Sequence, residues 1–151
     1  MRIGLISDTH GLLRPEALAA LAGVEEIIHA GDIGAPEILE RLRSLAPVHA
    51  VRGNNDRGPW GHGLPERLVL QRGAFRVQVL HDVKSLTVEA ADAGCQVIVC
   101  GHSHRPAITR RGGALLVNPG SAGPRRFKLP VTIGYLSLTA DSASAQIRHL
   151  L

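Results

Sequence analysis

The chain has 151 residues, of which 44% are hydrophobic and only 3% aromatic, and its formal net charge is +4. One domain spanning residues 1–151, with a core of Leu, Ile, Val and Ala, is expected at this length, without disulfide staples. No apolar run approaches the roughly 18 residues of a membrane span, and Met1-Arg2-Ile3-Gly4-Leu5-Ile6 enters a strand at once, with none of the segments of a signal peptide. A soluble cytoplasmic protein with no membrane partner is the resulting expectation.

Cys95 and Cys100 lack Cys-x-x-Cys spacing and are expected to be buried free thiols. The positive charge favours anionic partners, but it is dispersed and does not single out nucleic acid.

In chain order, Arg2 to Ile6 predicts a first strand that runs into Ser7-Asp8-Thr9-His10-Gly11. Asp8 and His10 are two apart, so an extended backbone would turn both toward one point. Pro15 opens a helix with Leu18, Leu21 and Ala22 on one face, and Gly23 ends it. Glu26 to Ala30 is a second strand, closed by Gly31-Asp32. A second helix follows Pro36, with Ile38, Leu39, Leu42 and Leu45 on its apolar face. Val48 to Val51 is a third strand leading into Arg52-Gly53-Asn54-Asn55-Asp56, and this βα alternation is the pattern of a parallel sheet.

Gly58 to Pro65 is expected to be a loop, from which Trp60 and His62 could overhang a cleft or simply cover the surface. Arg67 to Leu70 and Phe75 to Leu80 form a hairpin ending at His81-Asp82. A short helix is expected over Val88 to Ala93, between Thr87 and Gly94. Val97-Ile98-Val99-Cys100 is a buried strand ending in Gly101-His102-Ser103-His104. If that backbone stays extended, His102 and His104 project to the same side. Two further hairpins are expected, Ala107 to Arg111 with Ala114 to Val117, and Val131 to Leu138 with Ala145 to Leu150. A first half of βα units and a second half of largely antiparallel strands fit two sheets packed face to face, with helices outside.

Asp8, His10, Asp32, Asn54, His81, His102 and His104 all fall just beyond strand ends, the crevice where α/β sheets place ligands. Singly, each has an ordinary explanation: Asp8 or Asp32 as a helix cap, Asn54 as a turn residue, His81 as a strand-end histidine. Together they offer more oxygen and nitrogen donors than one ion needs, and they suit two ions sharing a carboxylate, for which Asp32 is the best candidate. Imidazole with carboxylate favours Mn, Fe, Zn, Co or Ni over Mg or Ca, with Mn the first expectation. His29, His49, His62 and His149 read as structural or surface residues.

Asp8-x-His10, Gly31-Asp32, Gly53-Asn54-x-Asp56, His81 and Gly101-His102-Ser103-His104 occur in the order of the calcineurin-like metallophosphoesterases, which the chain resembles over nearly its whole length. Its compact size and Asn118-Pro119-Gly120-Ser121 are similar to the small YfcE-type phosphodiesterase branch. The resemblance implies a four-layer α/β/β/α sandwich of two packed mixed sheets flanked by helices. It also implies a binuclear centre, with one ion on Asp8, His10, Asp32 and His104 and the other on Asp32, Asn54, His81 and His102. His10, Asp32, Asn54 and Asp56 become the catalytic set, with Asp56 orienting His10. The implied activity is hydrolysis of small phosphodiesters by attack of metal-activated hydroxide.

Two positions depart from the family pattern. Asn55 stands where many of its phosphomonoesterases carry a histidine that protonates the leaving group, which argues for diesters over monoesters. Asp82 replaces the usual glycine, and it would either act on the metal site or cap the next segment. Arg125, Arg126 and Lys128 either contact substrate phosphate or form a solvated or subunit-contact loop. The alternatives to a phosphodiesterase are a nuclease, disfavoured by the lack of an aromatic stacking series, and a binding scaffold with vestigial catalysis, as in the retromer subunit of this superfamily. The exposed edges of two packed sheets permit a homodimer.

Overall fold

In the computed structural model, which describes residues 1–86, 94–126 and 128–151, two five-stranded sheets pack face to face. The first has the order β10-β9-β1-β2-β3, built from β1 (Arg2–Ile6), β2 (Glu26–His29), β3 (Val48–Ala50), β9 (Thr132–Leu138) and β10 (Ala143–His149). The second has the order β4-β5-β6-β8-β7, from β4 (Arg67–Arg72), β5 (Phe75–Leu80), β6 (Val97–Val99), β7 (Ala107–Arg111) and β8 (Ala114–Asn118). Two features go beyond the sequence pattern. The last hairpin joins the first sheet, because β9 pairs antiparallel with β1. The second sheet is parallel at its centre, with antiparallel strands only at its edges, since β5, β6 and β8 run the same way.

The period-two alternation of the strands explains how one sheet serves two cores. Ile3, Leu5, Ile28, Leu136 and Leu138 face Val77, Val79, Val97, Val99, Leu115 and Val117 across the intersheet space. Ile6, Ile27, Ile133 and Tyr135 point the other way, onto α1 (Pro15–Leu21) and α2 (Pro36–Arg43). Each helix begins with proline, where a missing N–H is harmless. Ala17, Ala20 and Leu21 of α1 and Ile38, Leu39 and Leu42 of α2 supply the buried faces. On the outer face of the second sheet, Leu80, Ile98 and Ala114 pack with Leu86 and Leu116. The helix expected over Val88 to Ala93 lies outside the described residues.

The expected loop after residue 58 instead contains a short helix, α3 (Pro59–His62), again opened by proline. Trp60 packs on the helix-side core, so only His62 turns to the cleft. Cys95 and Cys100 are buried and free, and burial pushes the Cys100 thiol up to about 12. Among the described residues no helix is long and apolar enough to cross a membrane.

Candidate metal centre

The strands β1, β2, β5 and β6 end in parallel at the same edge of the sandwich, which gathers Asp8, His10, Asp32, His81 and His104. They converge in a way the strand pattern does not predict. The expected extended backbone is absent, for Asp8, His10, Asp32, His102 and His104 all adopt left-handed φ values of 55°, 47°, 55°, 73° and 63°. They are the only non-glycine residues with positive φ among those described. Each such conformation costs about 1–3 kcal/mol and persists only where its surroundings enforce it.

The enforcement is visible in the loops. Asp8 N–H donates to Gly31 O at 3.0 Å, His10 N–H to Asp32 O at 2.9 Å, and Gly11 N–H to Ile33 O at 2.8 Å, which joins the loop after β1 to the loop after β2. Gly53 brings the loop after β3 against Asp32 so closely that a Cβ there would collide with the Asp32 backbone and carboxylate. Gly101 does the same against Ser7 and Asp8. Ser121 Oγ donates to Asp8 O at 3.1 Å, tying down the Asn118–Gly123 turn as well.

The donor atoms fall into two groups, Asp8 with His10 and His104, and Asp8 with Asp32 and His81, the ligand atoms of each lying within 4.8 Å of one another. Asp8 belongs to both. Asp32 also stands between them, its Oδ2 being 3.2 Å from His81 Nε2 and 3.8 Å from His10 Nε2. His104 Nε2 lies 3.4 Å from Asp8 Oδ1 and 3.4 Å from His10 Nε2. Asp8 Oδ1, His81 Nε2 and His104 Nδ1 are buried and have no hydrogen-bond partner. Buried polar atoms are nearly always paired, so Asp8 Oδ1 and His81 Nε2, 3.9 Å apart and each without a hydrogen-bond partner of good geometry, suit a cation.

The charges of the cluster act on one another. Burial would raise the Asp32 carboxyl, but His81 and the Asn55 N–H override it and hold it well below the usual carboxylate range. Burial also works against protonating His81, yet Asp32 and Asp8 outweigh it and shift this imidazole up. His104 moves down, through burial together with Arg126 and His10, against the pull of Asp8.

Asn54 and His102 are exposed, and His102 belongs to neither of the two close groups. Asn54 lines a cleft of about 480 Å³ with Arg52, Arg57, His62, His81 and Asp82. His102 reaches the same side, its ring edge-on to His81 with centroids 5.2 Å apart. Asp82 caps the next segment, Oδ1 accepting from Lys84 N–H at 3.0 Å at the start of the one-turn helix Val83–Ser85, and its Oδ2 lies 3.7 Å from His102 Nε2.

Asp56 does not orient His10. Its buried carboxylate accepts from the backbone N–H groups of Ile33 (2.9 Å), Gly34 (3.0 Å) and Gly53 (2.8 Å), since both oxygens face the backbone of the two loops rather than the imidazole. Asn55 is more than a missing histidine: its N–H donates to Asp32 Oδ1 at 2.9 Å and its side-chain amide to Oδ2 at 3.2 Å. Arg125 is spent on Leu129 O at 3.2 Å, whereas the charge of Arg126 is felt at His104. Thr9 and His29, absent from the expected site, are buried beside it, marked in the sequence only as polar residues at the ends of apolar strands.

Two mixed sheets, outer helices and a carboxylate–imidazole cluster at the strand ends define a class of α/β phosphoesterase fold. The family model of the calcineurin-like phosphoesterase superfamily domain matches residues 1–141, and the chain belongs to that superfamily. A probable metallophosphoesterase of Methanothermobacter thermautotrophicus is 36% identical, over 97% of this chain and 91% of its own length. The probable metallophosphoesterase YsnB of Bacillus subtilis is 31% identical over 97% of this chain and 89% of its own. Among solved structures, an archaeal phosphodiesterase shares the fold with a TM-score of 0.80 at 22% identity, covering 98% of this chain and all of that one. Vps29 of Entamoeba histolytica in complex with zinc does so at 0.77 and 22% identity over the full length of both.

Proposed function

We propose that this chain is a metal-dependent phosphodiesterase whose centre holds two divalent transition-metal ions, manganese first among them. The observation that carries the reading is the pair of adjoining donor groups, with Asp32 Oδ2 standing between them, 3.8 Å from His10 Nε2 and 3.2 Å from His81 Nε2. Asp8, His10, Asp32 and His104 would hold one ion. Asp32, Asn54, His81 and His102 would hold the other, the exposed Asn54 and His102 closing the set from the cleft side. Bound there, the ions would supply charge neutralisation and water activation for in-line displacement at phosphorus.

The chain's own residues narrow the substrate. Arg52 and Arg57 on the cleft wall offer cations to a phosphate, although Arg52 is partly held by Glu66 at 2.6 Å. No Phe, Tyr or Trp lines the described cleft, which favours a small diester over a nucleic acid. The amide of Asn55 is engaged with Asp32 and has no acidic proton to give a leaving group. Diesters with good leaving groups therefore suit the site better than monoesters.

A second reading, a binding module without turnover, draws on the full-length likeness to Vps29, which at this identity speaks for the fold alone. The deciding experiment is hydrolysis of an aryl phosphodiester and of the matching monoester by chelator-stripped protein, before and after Mn²⁺. Restored diester hydrolysis, much faster than that of the monoester, supports the phosphodiesterase. Absence of turnover with every transition metal tried supports the binding module.

A further inference from the structure

His29 is fully buried at the end of β2, and both its ring nitrogens are used. Gly31 N–H donates to Nδ1 at 3.1 Å, which fixes the hydrogen on Nε2. Nε2 then donates to Thr9 Oγ1 at 3.0 Å, and the Thr9 hydroxyl, with its acceptor role taken, donates to Ile33 O at 2.8 Å. The directions are settled because each group has one donor to give. Burial, with the neighbouring His81, pushes the His29 imidazole down to about 3, so the ring stays neutral and this tautomer is kept.

The relay spans two loops at their most strained points. Thr9 lies between Asp8 and His10, and Gly31 and Ile33 flank Asp32, three residues held in left-handed backbone. Side-chain hydrogen bonds within a dry interior are the means by which such conformations are enforced. We propose that Thr9 and His29 are positioning residues of the metal centre. Their relay Gly31–His29–Thr9–Ile33 holds the loop of Asp8 and His10 against the loop of Asp32 so that the donor atoms converge. The proposal rests on the metal-centre reading above, and it adds residues that touch no ion and no substrate.

The test is Mn²⁺ affinity by calorimetry on the full chain, with thermal unfolding of the metal-free protein alongside. Thr9→Val keeps the shape and removes the hydroxyl, and Thr9→Ser keeps the hydroxyl. Thr9→Val should bind Mn²⁺ about tenfold or more weakly, the scale on which partners beyond the ligands act, and Thr9→Ser should return to within about threefold of wild type. His29→Gln can still donate to Thr9 but strands Gly31 N–H, and it should fall between the two. Equal affinity in folded Thr9→Val and wild type, or a Thr9→Ser variant as weak as Thr9→Val, overturns the relay while leaving the metal centre standing. If neither Thr9→Val nor His29→Gln folds, the relay serves the fold rather than the centre, which also overturns the proposal. Wild-type protein that binds no Mn²⁺ or other transition metal overturns both readings.

Discussion

Asp56 offers the sharpest test of what holds the site together. Its carboxylate is 1% exposed and accepts from three backbone N–H groups, those of Ile33 and Gly34 beyond β2 and that of Gly53 beyond β3. Replacement by alanine strands all three. Hydrogen bonds to a charged acceptor contribute about 1.5–3 kcal/mol each, and the Gly34 bond counts for less because it is only partly buried. Asp56→Ala should then lose about 4–6 kcal/mol, a large part of the roughly 5–15 kcal/mol that keeps a domain folded. Asp56→Asn keeps one carbonyl oxygen but turns an N–H₂ toward a donor, and should lose roughly half as much. Urea unfolding of the metal-free proteins measures both. A residue that merely oriented His10 would change activity and leave stability alone, so an Asp56→Ala loss below about 1 kcal/mol would refute the backbone-clamp account.

Further outcomes are expected. The depressed His29 pKa, about 3 against an ordinary 6.5, means that the unfolded chain takes up the proton first as pH falls. Its contribution is present in full above about 6.5 and is lost toward about 3, at about 1.4 kcal/mol per pH unit. Metal-free wild type should lose about 2 kcal/mol more than His29→Gln between pH 7 and about pH 5 in urea unfolding. Asp32 acts with the same sign in a lower window: its folded pKa is depressed, so its stabilisation is lost only as pH falls below the ordinary value of 3.8. Asn55→Ala, which removes the amide bond to Asp32, should weaken Mn²⁺ binding severalfold in calorimetry. Asn55→His should raise the ratio of monoester to diester hydrolysis, measured on matched aryl esters. Chelation should lower the thermal midpoint and Mn²⁺ should restore it, because an ion that binds only the folded state stabilises that state.

Much of this was legible in the residues. Alternation such as Ile3 and Leu5 inward with Ile6 outward marks the strands, and the proline-opened helices lie where Pro15 and Pro36 put them. The donors at strand ends are also plain, because Gly31-Asp32 and Gly101-His102-Ser103-His104 interrupt apolar runs. What was not legible depends on distant partners. Nothing local in Asp8 or His104 signals a left-handed backbone, which is imposed by bonds such as Asp8 N–H to Gly31 O across 23 residues. Asp56 was visible as a carboxylate, but its partners Ile33 and Gly34 belong to another loop. The allegiance of β9 and β10 to the first sheet follows from pairing with β1 at the far end of the chain, which hairpin signals do not encode.

The central claim is that these strand ends build one two-ion centre, and its most direct measurement is metal stoichiometry. Chelator-stripped protein equilibrated with Mn²⁺ and analysed by elemental mass spectrometry should carry two ions per chain. Asp32→Asn, which alters the carboxylate that the two proposed ligand sets share, should carry fewer than two. Wild type holding one ion or none at saturation, or an Asp32→Asn variant that still holds two, would contradict the account.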